Sequence, residues 1–111
     1  MYAYEIPGMR FSLPAGSAVT RHRFVSVNGN SEGVQATATT QIVGVSMNEA
    51  AAGEVLEVAD GLVMVEAGAA ITAGAAVYAD ADGKVAASGT IEAGIAITAA
   101  KAAGDIITVR V

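Results

Sequence analysis

The chain nearly repeats itself, and this constrains its fold more than any other feature. GVSMNEAAAGEVLEV at residues 44–58 matches GIAITAAKAAGDIITV at residues 94–109, with one inserted residue. Each copy reads as a short apolar strand, an Ala-rich connection, an Ala-Gly-acid step and a second strand. A shorter pair, AGSAV at residues 15–19 and AGAAV at residues 73–77, precedes the two long segments. The order short, long, short, long predicts a duplicated β-unit, with halves near residues 14–65 and 71–111. The 111 residues make one domain and leave no room for separate catalytic and substrate domains.

Alanine favours helix, but the local pattern does not. Glycine recurs every few residues, and apolar side chains alternate with period two in VLEV, LVMV, IAIT and IITVRV. Asn28-Gly29, Asp60-Gly61 and Asp82-Gly83 are dipeptides suited to tight hairpin turns. For residues 54–66 the pattern predicts a hairpin closed by Asp60-Gly61, with Val58 opposite Val63 and Leu56 opposite Val65. The Ala-rich connectors at 48–52 and 98–103 leave open a single helical turn before Gly53 and Gly104; neither is long enough for an independent helix. The expectation is all-β: a small β-sandwich or a partly open β-barrel, internally duplicated, with an extended N-terminal arm over residues 1–13.

The arm is set apart by its composition. Tyr2, Tyr4 and Ile6 alternate, Pro7-Gly8 interrupts, and Met9, Phe11 and Leu13 alternate again. Three of the five aromatic residues lie in this segment. Two readings stand: an ordinary first strand packed on its own sheet, or an arm whose aromatics anchor in a partner. Elsewhere the apolar content is mostly Ala and Val, with no Trp, so burial contributes little per residue and part of the ordering is expected from oligomerisation or docking.

Charge adds one asymmetry. The net charge is −5, which argues against a general nucleic-acid partner. Between Ile6 and Ser31 there is no acidic residue, while Arg10, Arg21 and Arg23 supply half of the six cationic side chains. This is either a solvated stretch or a basic N-terminal third facing an acidic partner surface. The N-terminus lacks the charged start and apolar run of a signal peptide. The apolar stretch at 67–79 is too short and Gly-broken to span a bilayer, so no membrane partner is expected.

Catalytic groups are scarce. There is no Cys, and the single His, His22, sits between Arg21 and Arg23 with no Ser or carboxylate paired to it by spacing. Asp80-Ala81-Asp82-Gly83 resembles a fragment of a calcium loop, but the twelfth position carries Ile91 where an EF-hand needs Glu. Gly83-Lys84 is followed by Val85, which breaks a phosphate-binding loop. No enzyme activity, metal or cofactor is expected.

The arm and the repeats together resemble the capsid decoration, or cement, proteins of tailed bacteriophages. The resemblance is carried by YAYEIPG, then IVGVSMNEAAAGEVLEVADGLVMVEAG, then ITAGAAVYADADGKVAA and the closing GIAITAAKAAGDIITVRV, and it covers essentially the whole chain. It implies a structural protein on the virion exterior, present in the host cytoplasm during assembly. Such a protein binds the major capsid protein, usually as a trimer and sometimes as a dimer, and stabilises the expanded shell. No catalytic residues come with it. Candidate contacts with capsid or a neighbouring subunit are Tyr2, Tyr4, Ile6, Met9, Arg10 and Phe11, with Arg21 and Arg23 behind them. The competing classes are a β-rich surface module for carbohydrate or adhesion, which needs exposed aromatics on the body, and a small subunit of an enzyme assembly.

Overall fold

A computed structural model describes residues 3–111; Met1 and Tyr2 lie outside the described residues. The described chain has no helix and nine strands: β1 (Ile6–Pro14), β2 (Phe24–Val27), β3 (Gly33–Gln35), β4 (Gly44–Ser46), β5 (Val55–Glu66), β6 (Ala76–Ala79), β7 (Val85–Ala86), β8 (Glu92–Ala96) and β9 (Ile106–Arg110). They form one open, strongly curled sheet resembling half a barrel, in the order β3-β2-β4-β5-β9-β8-β6-β7, with β1 added beside β5. The Ala-rich connectors are turns. Ile6 onward, within the segment set apart as an arm, is β1, paired antiparallel to β5.

The register carries the duplication through the whole sheet. Between β2 and β4, Phe24 faces Val45 and Val25 faces Gly44; between β6 and β8, Ala76 faces Ile95 and Val77 faces Gly94. Ser26↔Val34 and Val27↔Gly33 recur as Tyr78↔Ala86 and Ala79↔Val85. Val45↔Ala59 and Ser46↔Val58 recur as Ile95↔Arg110 and Ala96↔Val109. The ladder of β1 on β5, with Arg10↔Ala59, Phe11↔Val58 and Leu13↔Leu56, recurs as Leu62↔Arg110, Val63↔Val109 and Val65↔Ile107. The structural repeats therefore span residues 10–59 and 62–110, and β5 serves both: its first half closes one repeat and its second half opens the next.

This corrects two expectations. The counterpart of residues 15–19 is 67–71, not 73–77: Val19 bridges Ala50 as Ile71 bridges Ala100, and Ala15 bridges Gly33 as Ala67 bridges Val85. The hairpin at Asp60-Gly61 does not form; β5 runs straight through it as a 12-residue strand. A type I′ turn needs positive φ at both central residues, and only Gly61 has it, at +91°. One such residue kinks a strand without reversing it. β1 follows the kink with a register shift between Pro7 and Arg10, and the Met9 N–H donates to Asp60 Oδ1 at 2.7 Å. The other two dipeptides do close hairpins, β2–β3 and β6–β7. In each, a side-chain oxygen takes two backbone N–H groups: Asn28 Oδ1 from Asn30 and Glu32, Asp80 Oδ1 from Asp82 and Lys84.

Both faces of β5 are buried near its start. Leu56 and Val58 join a smaller core with Ala15, Val19, Val25 and Ala50, flanked by Phe11, Leu13 and Val43. Ala59 on the opposite face joins Phe24, Ala36 and Val45 in the larger core, where they meet Val63, Val65, Val77, Ile107 and Val109 of the second repeat. The larger core is thus the junction between repeats.

Candidate functional site

The predicted contact residues divide among three places. Tyr4, Ile6 and Met9 are exposed at 40, 63 and 65 %, on or just before β1, which among the described residues pairs with β5 alone and leaves its other edge open. Unpaired strand edges and exposed apolar side chains are both suited to a partner. Residues 3–5 are held in place: the Tyr4 N–H donates to Thr108 Oγ1 at 2.6 Å, whose hydroxyl donates to the Tyr4 carbonyl at 2.6 Å. The Met64 N–H donates to Glu5 Oε1 at 3.4 Å. Arg10 of β1 pairs with Glu57 of β5 at 2.8 Å.

Phe11 points elsewhere, half-buried against the smaller core. Arg23 is not at the surface patch. Its Nη2 lies 3.1 Å from Glu66 Oε1, while Lys84 Nζ lies 3.2 Å from Glu66 Oε2. Burial alone would raise the Glu66 carboxyl, but hydrogen bonds and charge from Arg23 and Lys84 outweigh it and hold the pKa below its ordinary value. Arg23 belongs to the first repeat and Glu66 and Lys84 to the second, so this is a clamp across the junction. Arg21 is exposed and, among the described residues, makes no ion pair. The basic stretch is therefore divided between a clamp, a surface pair and one solvated arginine.

Sequence reasoning missed Val27, Val55, Ile95 and Ile106, all large apolar residues exposed by more than a third. Ile95 lies in a lateral row with Ile6, because Ile6↔Leu62, Leu62↔Arg110 and Arg110↔Ile95 are successive partners on one face. In GIAITAAKAAGDIITVRV both alternating phases are apolar, so the pattern does not say which phase is inside.

The reactive inventory stays dispersed. His22 Nδ1 lies 3.2 Å from the Met64 carbonyl oxygen, and Asp105 Oδ2 is occupied by the backbone N–H groups of Lys101 and Ala102. Among the described residues no three His, Cys, Asp or Glu side chains gather as for a metal ion. Of the two body aromatics, Phe24 is fully buried and Tyr78 half-buried.

No curated protein matches the chain. The crystal structure of the head fiber gp8.5 N base of bacteriophage phi29 shares the fold, with a TM-score of 0.74, 21 % identity and 91 % of each chain covered. Residues 6–111 match the family model described as phage cement protein, and the chain belongs to that family of phage structural proteins.

Proposed function

We propose that this protein is a non-enzymatic cement subunit that binds the outer surface of the phage head through β1 and stabilises the expanded shell. Its partner in this reading is the major capsid protein, and it acts as a homo-oligomer, a trimer, on the virion exterior after passing through the host cytoplasm. The observation that carries the reading is the exposed apolar run Tyr4, Ile6 and Met9 on an open strand edge, in a chain of the cement family. A subunit that bridges several shell proteins gains from multivalency even when each contact is weak. It favours the expanded shell only to the extent that it binds that state better than the precursor.

The test is occupancy on purified heads. Ile6→Asp with Met9→Asp changes two side chains that are mostly in solvent, so the domain stays folded by circular dichroism. Occupancy on expanded heads is expected to fall at least tenfold, and native protein to bind unexpanded heads more weakly. Undiminished occupancy of the folded double variant would overturn the docking surface; equal binding to both shell states would overturn the stabilising role.

A further inference from the structure

The two repeats share a strand order and register but use their faces differently. In the first repeat the smaller core is built from Ala15, Val19, Val25, Ala50, Leu56 and Val58. Their counterparts by register, Ala67, Ile71, Val77, Ala100, Ile107 and Val109, all belong to the larger core. The same face, which we call the front, is therefore inside in both repeats. What differs is what covers it. The front of the second repeat is closed by the back of the first, through Phe24, Ala36, Val45 and Ala59. The contact joins unlike faces, head to tail.

A head-to-tail contact inside one chain leaves one unmatched surface of each kind at its ends. At one end is the front rim of the first repeat. Val27 there is 44 % exposed, whereas its counterpart Ala79 is 4 % exposed within the junction. Phe11 and Leu13 are half-buried where Val63 and Val65 are fully buried. At the other end is the back of the second repeat. Ile95 there is 43 % exposed, whereas its counterpart Val45 is fully buried. Phe24 corresponds to the half-buried Ala76.

We propose that these two surfaces bind each other between copies of this chain: the back of the second repeat docks on the front rim of the first repeat of the next copy, continuing the internal junction. Side-chain sizes fit the exchange between the front rim and Ala76. The free front carries larger residues than the covered one (Phe11 for Val63, Leu13 for Val65, Val27 for Ala79), and the free back has the smaller Ala76 in place of Phe24 but the larger Ile95 and Arg110 in place of Val45 and Ala59. The turns fit as well. The Gly83 carbonyl accepts from the Phe24 N–H at 2.8 Å across the junction, and its counterpart Ser31 has the same left-handed φ, +61° against +74°, on an exposed turn. In the contact between copies, Ser31 takes the place of Gly83 and Ala76 that of Phe24. The Tyr4 backbone covers this back at Thr108, while Ile95 stays 43 % exposed.

The contact between copies is weaker than the internal one. The clamp positions Arg23, Glu66 and Lys84 correspond to Ala75, Pro14 and Glu32, which cannot rebuild it, and association costs translational freedom that an internal junction does not. A heterologous contact that closes makes a ring, and each chain contributes two repeats to it. This deepens the homo-oligomer part of the proposed function but rests on repeat geometry alone, so its test contains no capsid.

Val27→Asp disables the front and Ile95→Asp the back, both at exposed positions. By sedimentation velocity the native protein is expected to form a closed oligomer, and each variant a monomer. An equimolar mixture of the two is expected to give a dimer and nothing larger, because one intact front meets one intact back. Ser31→Arg serves as a second front variant should Val27→Asp lose its β-sheet spectrum. A native monomer at high micromolar concentration, variants that keep the native mass, or a mixture that stays monomeric would each overturn the proposal. Failure of the native protein to bind heads while its oligomer is intact would count against capsid docking only.

Discussion

Residues 10–59 and 62–110 follow one path with one register, yet a position buried in the first is often exposed in the second. Phe24, Val45 and Ala59 are fully buried, while Ile95 and Arg110, the counterparts of Val45 and Ala59, face solvent. Duplication copied the ladder and not the environment. Behind the first repeat lies the whole second repeat, whereas the back of the second is covered at Thr108 by residues 3–5 and leaves Ile95 exposed. A repeat in such an array is stabilised by its interfaces as much as by its own core.

The sharpest way to break this comparison is to empty the junction. Phe24→Ala is expected to cost about 3–5 kcal/mol, as for a buried aromatic that leaves a cavity, read from urea unfolding. Val45→Ala is expected to cost about 2 kcal/mol, whereas Ile95→Ala costs less than about 1 kcal/mol in the monomer. Equal costs at 45 and 95 would mean that the two backs are equivalent.

Next is the kink at which the repeats meet. Gly61→Ala places a Cβ 2.5 Å from the Gly8 nitrogen at a φ of +91°, and a loss of about 2 kcal/mol or more is expected from strain and displacement of β1. A neutral result would show that β1 is loosely held.

The two arginine pairs give a smaller contrast. Arg23→Gln, within the part-buried clamp, is expected to cost about 1–2 kcal/mol and to depend little on salt. Arg10→Gln, where both partners are more than 40 % exposed, is expected to cost under about 0.5 kcal/mol and to be screened. The clamp also sets a pH dependence. The folded Glu66 pKa lies below its ordinary value of 4.5, so its contribution is fully present above that value and is lost as pH falls through the folded one. Glu66→Gln should flatten that acid limb in a melting-temperature profile.

The effect at the turns has the opposite sign. Ser31→Gly is expected to stabilise the protein by about 0.5–1 kcal/mol by relieving a left-handed φ. The gain should appear in thermal unfolding of the monomeric Ile95→Asp background.

Much of the fold is legible in the sequence. The β class follows from period-two alternation and glycine punctuation, and the duplication from 44–58 against 94–109 because those segments keep their order of Gly, Ala-Ala-Gly, acid and β-branched residues. The hairpins at Asn28 and Asp80 follow from side chains that can cap their own turns. Asp60-Gly61 misled because a kinked strand and a tight turn use the same dipeptide, and what separates them, a positive φ at the first residue, is not written in composition. The exposed residues of the candidate surfaces are legible in part: Tyr4, Ile6 and Met9 stand out as apolar residues around Pro7-Gly8, while Val27 and Ile95 do not, since their alternation matches that of buried neighbours.

By itself the sequence determined the strands, most of the turns and the existence of two related units, because each of these depends on residues close together in the chain. Only the tertiary structure decided that β5 belongs to both units, that Arg23 closes the junction, and which apolar face stays open. Those depend on which surfaces meet. Val45 and Ile95 occupy the same place in the same ladder, and the neighbouring repeat behind one of them makes it core.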